Sequence, residues 1–285
     1  MIDIFSFLPS VTWDIETRLI ASALFVSVAI ALVSLLRNRP TLRAPVTESS
    51  DFGAIFESPA SLLPHLEELR IRLTNCLFAV LASTALAALI AETILVVLAQ
   101  PVGGLDKLQV IDITEGVQVY FQVSLTLGII LASPFVISQI WIFVAAGLKI
   151  EERRWFYLLF PFALALFLAG VAFAYFVMLP VAVPFLTGFV GIRALPRLAN
   201  YVEFVTTILL WVGISFEMPI IVFLLARAKL VTAGMLLRGW RVAIVGIAIL
   251  AAAITPTPDP INMGIVAAPM ILLYGVSIIL ALVAA

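Results

Sequence analysis

The sequence predicts an all-α polytopic membrane protein, a six-helix bundle carrying one extra N-terminal transmembrane helix. Three observations lead there. Of the 285 residues, 64% are hydrophobic and only 12% charged, at a mean hydropathy of +1.21. That is more apolar surface than a soluble core of this length can bury. Seven apolar stretches are separated by polar loops, and each must be helical, because an open strand leaves its backbone unsatisfied in lipid. Finally, the 16 Lys and Arg residues fall unevenly on alternate loops.

The first stretch, 19–36, follows an acidic leader with no small-residue cleavage site, so it reads as a retained span rather than a signal peptide. Residues 38–61 hold Pro40, Pro45 and Pro59 among Ser, Thr and acidic residues, the composition of a flexible linker. The chain therefore divides into an anchor (1–37), a linker (38–61) and a six-helix unit (62–285). That unit opens on a short amphipathic helix. Leu62, Leu66, Leu69 and Leu73 share one face, and Glu67, Glu68, Arg70 and Arg72 the other, a pattern expected to lie on the membrane surface before the chain turns inward. Ser61 suits its cap and Pro64 its first turn.

The remaining spans are expected at 73–98, 118–146, 155–179, 204–226, 240–254 and 264–283. Glu92 falls about 28 Å along the helix from Leu73, at the far interface. Pro134 should bend its span and Pro219 should kink another. Residues 180–203, punctuated by Pro180, Pro184, Gly188, Gly191 and Pro196, are expected to form a partly helical cap rather than a span. Only thirteen uncharged residues separate Arg241 from Thr255, about 20 Å of helix against about 30 Å of hydrocarbon. Arg238 and Arg241 can snorkel and recover part of the difference, yet the bilayer beside this helix is still expected to be thinned or covered by another protein; a slightly tilted longer helix with buried arginines is the alternative.

With residues 37–72 inside, the inner face collects Arg37, Arg39, Arg43, Arg70, Arg72, Lys149, Arg153, Arg154, Arg227, Lys229, Arg238 and Arg241. The outer face keeps Arg18, Lys107, Arg193 and Arg197. Twelve against four places the N-terminus outside and the C-terminus in the cytoplasm.

Enzyme chemistry finds no foothold. His65 is the only histidine and Cys76 the only cysteine, which excludes a zinc motif, a Ser/His pair and an intramolecular disulfide. There is no phosphate-cradling loop, so no cofactor is expected. A net charge of −1 leaves no electrostatic footprint for nucleic acid. Cys76 reads as a small buried hydrophobe.

Two features remain. Glu217, near the middle of a span, costs at least about 2.5–3.5 kcal/mol if ionised there, so it is functional by default or a protonated acid hydrogen-bonded to a neighbouring helix. Glu68 and Glu152 lie at one membrane rim, each flanked by arginines that hold a carboxylate ionised and oriented. They read either as a solvated, internally paired face or as a site for a ligand with two adjacent guanidinium groups.

The segments HLEELRIRL (65–73), AQP (99–101), QIWIFVAAGLKIEERR (139–154), AYFVMLP (174–180), ISFEMP (214–219) and TPTPDP (255–260) resemble the TatC family, the twin-arginine protein translocase subunit. The resemblance implies a glove-shaped receptor in a bacterial-type plasma membrane, also found in archaea and organelles. It would bind twin-arginine signal peptides and support export of folded proteins on the proton-motive force, in a homo-oligomeric complex with TatA- or TatB-like single-span subunits and lipid. It also implies that Glu68 and Glu152 contact the arginine pair, with Arg70, Phe143, Arg153 and Arg154 beside them. Glu217 matches the family's membrane-embedded acid, and Pro101, Tyr175 and Asp259 match structural or partner positions. Two departures stand out: the extra first span, and Met263 where the family often carries glutamine. A proton- or cation-coupled secondary transporter centred on Glu217 is the alternative.

Overall fold

The structure, a computed structural model, describes residues 27–31, 33, 59–146, 150–188, 195–227, 229–255 and 260–284. Within these ranges it does not describe the side chains of residues 59–65, 144–146, 150–157 and 262. The expected first span lies mostly outside these residues, as does the linker. Residues 27–31 are helical, and Val28 and Ala31 pack against Trp141, Phe160 and Ile220.

Among the described residues, six helical spans are long and apolar enough to cross a membrane. Helix α1, Pro59–Ala88, is a single 30-residue helix, so the expected surface helix and its turn are corrected: the charged segment is the exposed start of the span. Ser61 and Pro64 therefore fall inside the helix rather than at its cap. The span expected at 73–98 is corrected too. It breaks at Leu89 and Ile90, whose amides bond three residues back, and Glu92 sits on a separate short helix α2, Ala91–Leu98.

The chain then makes two 3-10 turns, Gln100–Val102 and Leu105–Lys107, joined by Gly103 and Gly104 at φ 99° and 110°, values that glycine adopts without strain. Helix α3, Glu115–Ala146, runs through Pro134. Proline has no amide to offer Ile130, and the Ser133 hydroxyl donates to that carbonyl at 2.7 Å.

Helix α4, Ile150–Phe173, continues through a π turn, Ala174–Met178, into α5, Leu179–Thr187. Residues 180–187 thus extend a span instead of capping it. The prolines do not end the helix because Pro180 stands at the second position of α5, where its missing amide costs little.

Helix α6, Leu198–Ser215, ends in a turn at Phe216 and Glu217, and α7, Met218–Arg227, completes the crossing. Pro219 is the second residue of α7, so it starts a helix after a break. Helix α8, Ala233–Ile254, has 22 residues and is capped by Thr232, whose hydroxyl accepts the Met235 amide at 3.3 Å. At about 33 Å the helix as a whole is long enough to span; Arg238 and Arg241 lie within it. Helix α9, Pro260–Ala284, closes the bundle.

Helix α6 is the central post. Val202, Val205, Ile208 and Val212 are almost fully buried against Val119 and Val123 of α3, Met178, Leu179 of α5, Ile247 and Ala251 of α8, and Val266 and Met270 of α9. Helix α1 is the reverse case. Among the described residues its one extensive contact is with α3, and it exposes Leu73, Leu77, Phe78 and Leu81, a face suited to lipid. Cys76 on that helix is only half-buried.

Candidate functional site

The site is built at the end of the bundle where α1 begins, α3 ends and α4 begins. Glu67 and Arg70, three apart on α1, pair at 2.7 Å on the exposed side. Glu68 and Arg72, four apart, pair on the side turned toward α3. Arg72 donates from both Nε (3.0 Å) and Nη2 to the same oxygen, Glu68 Oε1. Its Nη1 reaches Oε1 of Gln139 on α3 at 3.4 Å. The Arg72 side chain is only 16% exposed and that of Glu68 35%. One acid of the expected pair is therefore held by a largely shielded arginine tied to the neighbouring helix, while its second oxygen carries no hydrogen bond among the described residues.

Phe143, half-buried, follows Gln139 by one turn of α3. Glu152, Arg153 and Arg154 occupy the first turn of α4, after a short connection from α3, and so share this end of the bundle. Their side chains lie outside the described residues.

Glu217 lies elsewhere, at the break between α6 and α7. Its amide donates to Ile214 O at 3.0 Å and its carbonyl accepts from Ile221 N at 3.1 Å, while Oε1 is buried with no partner. Two glycines set the break. A Cβ on Gly170 of α4 would stand 2.8 Å from Phe216 Cγ and 2.9 Å from Gly213 Cα. The bare backbone of α4 thus receives Phe216, which also stacks at 5.6 Å from Phe173. Seating Phe216 fixes where the next residue, Glu217, leaves the helix.

At the opposite end, Pro101 is buried in the first 3-10 turn. Tyr175 donates to Val97 O and Tyr201 to Leu98 O, both at 2.7 Å, satisfying carbonyls that the end of α2 leaves open. Asp259 lies outside the described residues. Among those described, no group of three His, Cys, Asp or Glu side chains could hold a metal.

The comparisons with known proteins match this arrangement. The family model described as Sec-independent protein translocase protein (TatC) matches residues 64–269. The chain belongs to the TatC family. A TatC of Carboxydothermus hydrogenoformans is 37% identical over 79% of this chain and 94% of its own length, and one of Deinococcus radiodurans is 37% identical over 78% and 85%. A solved structure described as the twin arginine translocase receptor TatC superposes with a TM-score of 0.70 at 34% identity, covering 77% of this chain and 99% of that one. TatC is a non-enzymatic translocase component, so this chain is a multi-pass membrane subunit of Sec-independent protein transport, and the transporter alternative is not favoured.

Sequence reasoning passed over one residue of this TatC-family fold. Glu115, the first residue of α3, is 1% exposed. Its Oε2 accepts Ile111 N (3.1 Å), Asp112 N (3.3 Å) and Arg197 Nε (3.0 Å), and its Oε1 accepts Ala199 N (2.7 Å). With Gln109 paired to Arg197 along the backbone, it joins the loop before α3 to the one before α6. The available signal was an acid opening a long apolar helix, where it faces the positive end of the helix dipole.

Proposed function

We propose that this chain is the receptor subunit that takes up twin-arginine signal peptides at its cytoplasmic face and supports export of folded proteins on the proton-motive force. The observation that carries the reading is Glu68: an ionisable carboxylate at the rim of a TatC-family bundle, held from one side and open on the other. Glu152, at the same end of the bundle, supplies the second acid, and Arg70, Arg153, Arg154 and Phe143 frame the pair. A guanidinium suits such acceptors because its N–H groups converge in a plane, whereas an ammonium is a hydrated point charge.

The N-terminus is outside and the C-terminus in the cytoplasm. The end that holds Glu68 also carries Arg70, Arg72, Arg227, Lys229, Arg238 and Arg241, as a cytoplasmic face should. Residues 1–37 add an anchor, joined by the 38–61 linker to the unit at 62–285. The peptide's apolar segment inserts along the side of the bundle containing Glu217. TatA- or TatB-like single-span subunits pack against α8, whose Leu237, Val242, Val245 and Ile249 are exposed.

The test is photo-crosslinking of a twin-arginine peptide, against its twin-lysine version, to probes placed beside Glu68 and Glu152. Crosslinks that favour twin-arginine and disappear in Glu68→Gln with Glu152→Gln support the reading. Equal crosslinking of both peptides, or none, overturns it.

A further inference from the structure

We propose that Arg72 sets the preference of this site for arginine over lysine by neutralising Glu68 before any ligand arrives. The inference rests on the reading of Glu68 as a peptide-binding acid and adds to it a residue that need not touch the peptide.

The geometry separates two kinds of attraction. A carboxylate offers about four acceptor positions, two on each oxygen. Arg72 fills both on Oε1, with Nε and Nη2 converging there, and Oε2 carries no hydrogen bond among the described residues. The arrangement is a built one. Arg72 is largely shielded from solvent and is tied to Gln139 on another helix, whereas the neighbouring Glu67–Arg70 pair is exposed on both sides and held by α1 alone.

A cation approaching Glu68 therefore meets an ion pair of no net charge. Coulombic attraction, which acts on any cation regardless of shape and reaches furthest, is largely cancelled. Directional hydrogen bonding to Oε2 remains. A guanidinium can direct two N–H groups at that single oxygen, as Arg72 itself does at Oε1. An ammonium, more strongly hydrated and with no planar fork, depends on the net charge that Arg72 has removed. Selectivity thus comes from discarding the attraction that does not discriminate. The same device keeps binding reversible, as a receptor that must pass its ligand on requires.

The experiment measures affinities of fluorescent twin-arginine and twin-lysine signal peptides for the full chain in lipid nanodiscs, with melting temperature recorded for each variant. In Arg72→Gln the net charge of Glu68 is restored. Twin-lysine affinity should rise at least fivefold while twin-arginine affinity changes less than threefold, and the gain should fade with added salt. Damage to the fold would lower both affinities, so a rise for twin-lysine is an outcome that a merely structural role of Arg72 does not produce. Arg72→Lys keeps the charge and loses the fork, and it should hold twin-lysine affinity within twofold of the unmutated chain. If Arg72→Gln does not fold, Arg72→Lys decides: a gain for twin-lysine despite the retained charge overturns the proposal. An unchanged or reduced twin-lysine affinity in folded Arg72→Gln also overturns it. Glu68→Gln separates the two levels. If it leaves twin-arginine binding intact, the assignment of the site itself fails. If it removes that binding while Arg72→Gln brings no gain for twin-lysine, only the role of Arg72 fails.

Discussion

Replacing Glu115 with glutamine keeps the shape of the side chain but exchanges one accepting oxygen for a donating nitrogen. Four donors now converge on two oxygens, so the amide would set N–H against N–H at one side of the junction between the loops before α3 and α6. Glu115→Gln should lower the melting temperature, and Glu115→Ala should lower it further. A scan of the purified protein measures both; unchanged values would mean that this junction contributes nothing to stability. Tyr201→Phe removes a single buried donor and leaves Leu98 O open, at about 1 kcal/mol. Unfolding equilibria of the two proteins check this. On the cytoplasmic side, Glu68→Gln is expected to reduce twin-arginine crosslinking at least tenfold without shifting the melting temperature, since its partner Arg72 retains Gln139.

Helices meet in this bundle where side chains are missing. A Cβ on Gly128 of α3 would fall 2.6 Å from the Cα and 2.7 Å from the N of Thr84 on α1. Backbone cannot swing aside as a flexible side chain can, so Gly128→Ala must push α1 away from α3. Overpacking of this kind costs about 1–3 kcal/mol. Because α1 has no other large contact, the shift should travel along it to Glu68. Gly128→Ala should therefore lower peptide affinity and melting temperature together, whereas Glu68→Gln lowers affinity alone; calorimetry with a binding titration distinguishes the two. At the other crossing, Gly170→Ala would displace Phe216 and with it the break that carries Glu217. Both glycines were present in the sequence as ordinary members of apolar runs. Nothing local marks a glycine as a contact point, because the atom it must avoid belongs to a helix distant in the chain.

Across the whole molecule the charge asymmetry makes a prediction that does not depend on any single site. In a Cys76→Ala background, a cysteine at Ile113, on the exposed outer loop, should react with a membrane-impermeant thiol reagent added to intact cells. A cysteine at Lys229, in the turn between α7 and α8, should react only after the membrane is opened. The reverse pattern would invert the topology and place Glu68 outside. The fold class and the six spans beyond residue 62 were legible before any coordinates because lipid imposes them: about twenty apolar residues in a row have few alternatives to a helix. Boundaries were less legible. The break at Leu89, where the Tyr120 hydroxyl donates to Ala88 O at 2.7 Å, and the turn at Phe216, whose ring lies against Phe173, each involve a group from another helix.

The sequence by itself determined that this chain is helical and membrane-spanning and, through blocks such as HLEELRIRL and ISFEMP, which family it resembles. Those properties follow from composition and local order, which the chain carries at every point. Only the tertiary structure decided that Arg72, paired with Glu68, is largely shielded and reaches Gln139 on another helix, that Glu115 joins residues 111–112 to residues 197–199, and that Gly128 and Gly170 let helices touch. Each of these is a contact between residues far apart in sequence, and its geometry exists only once the helices have packed.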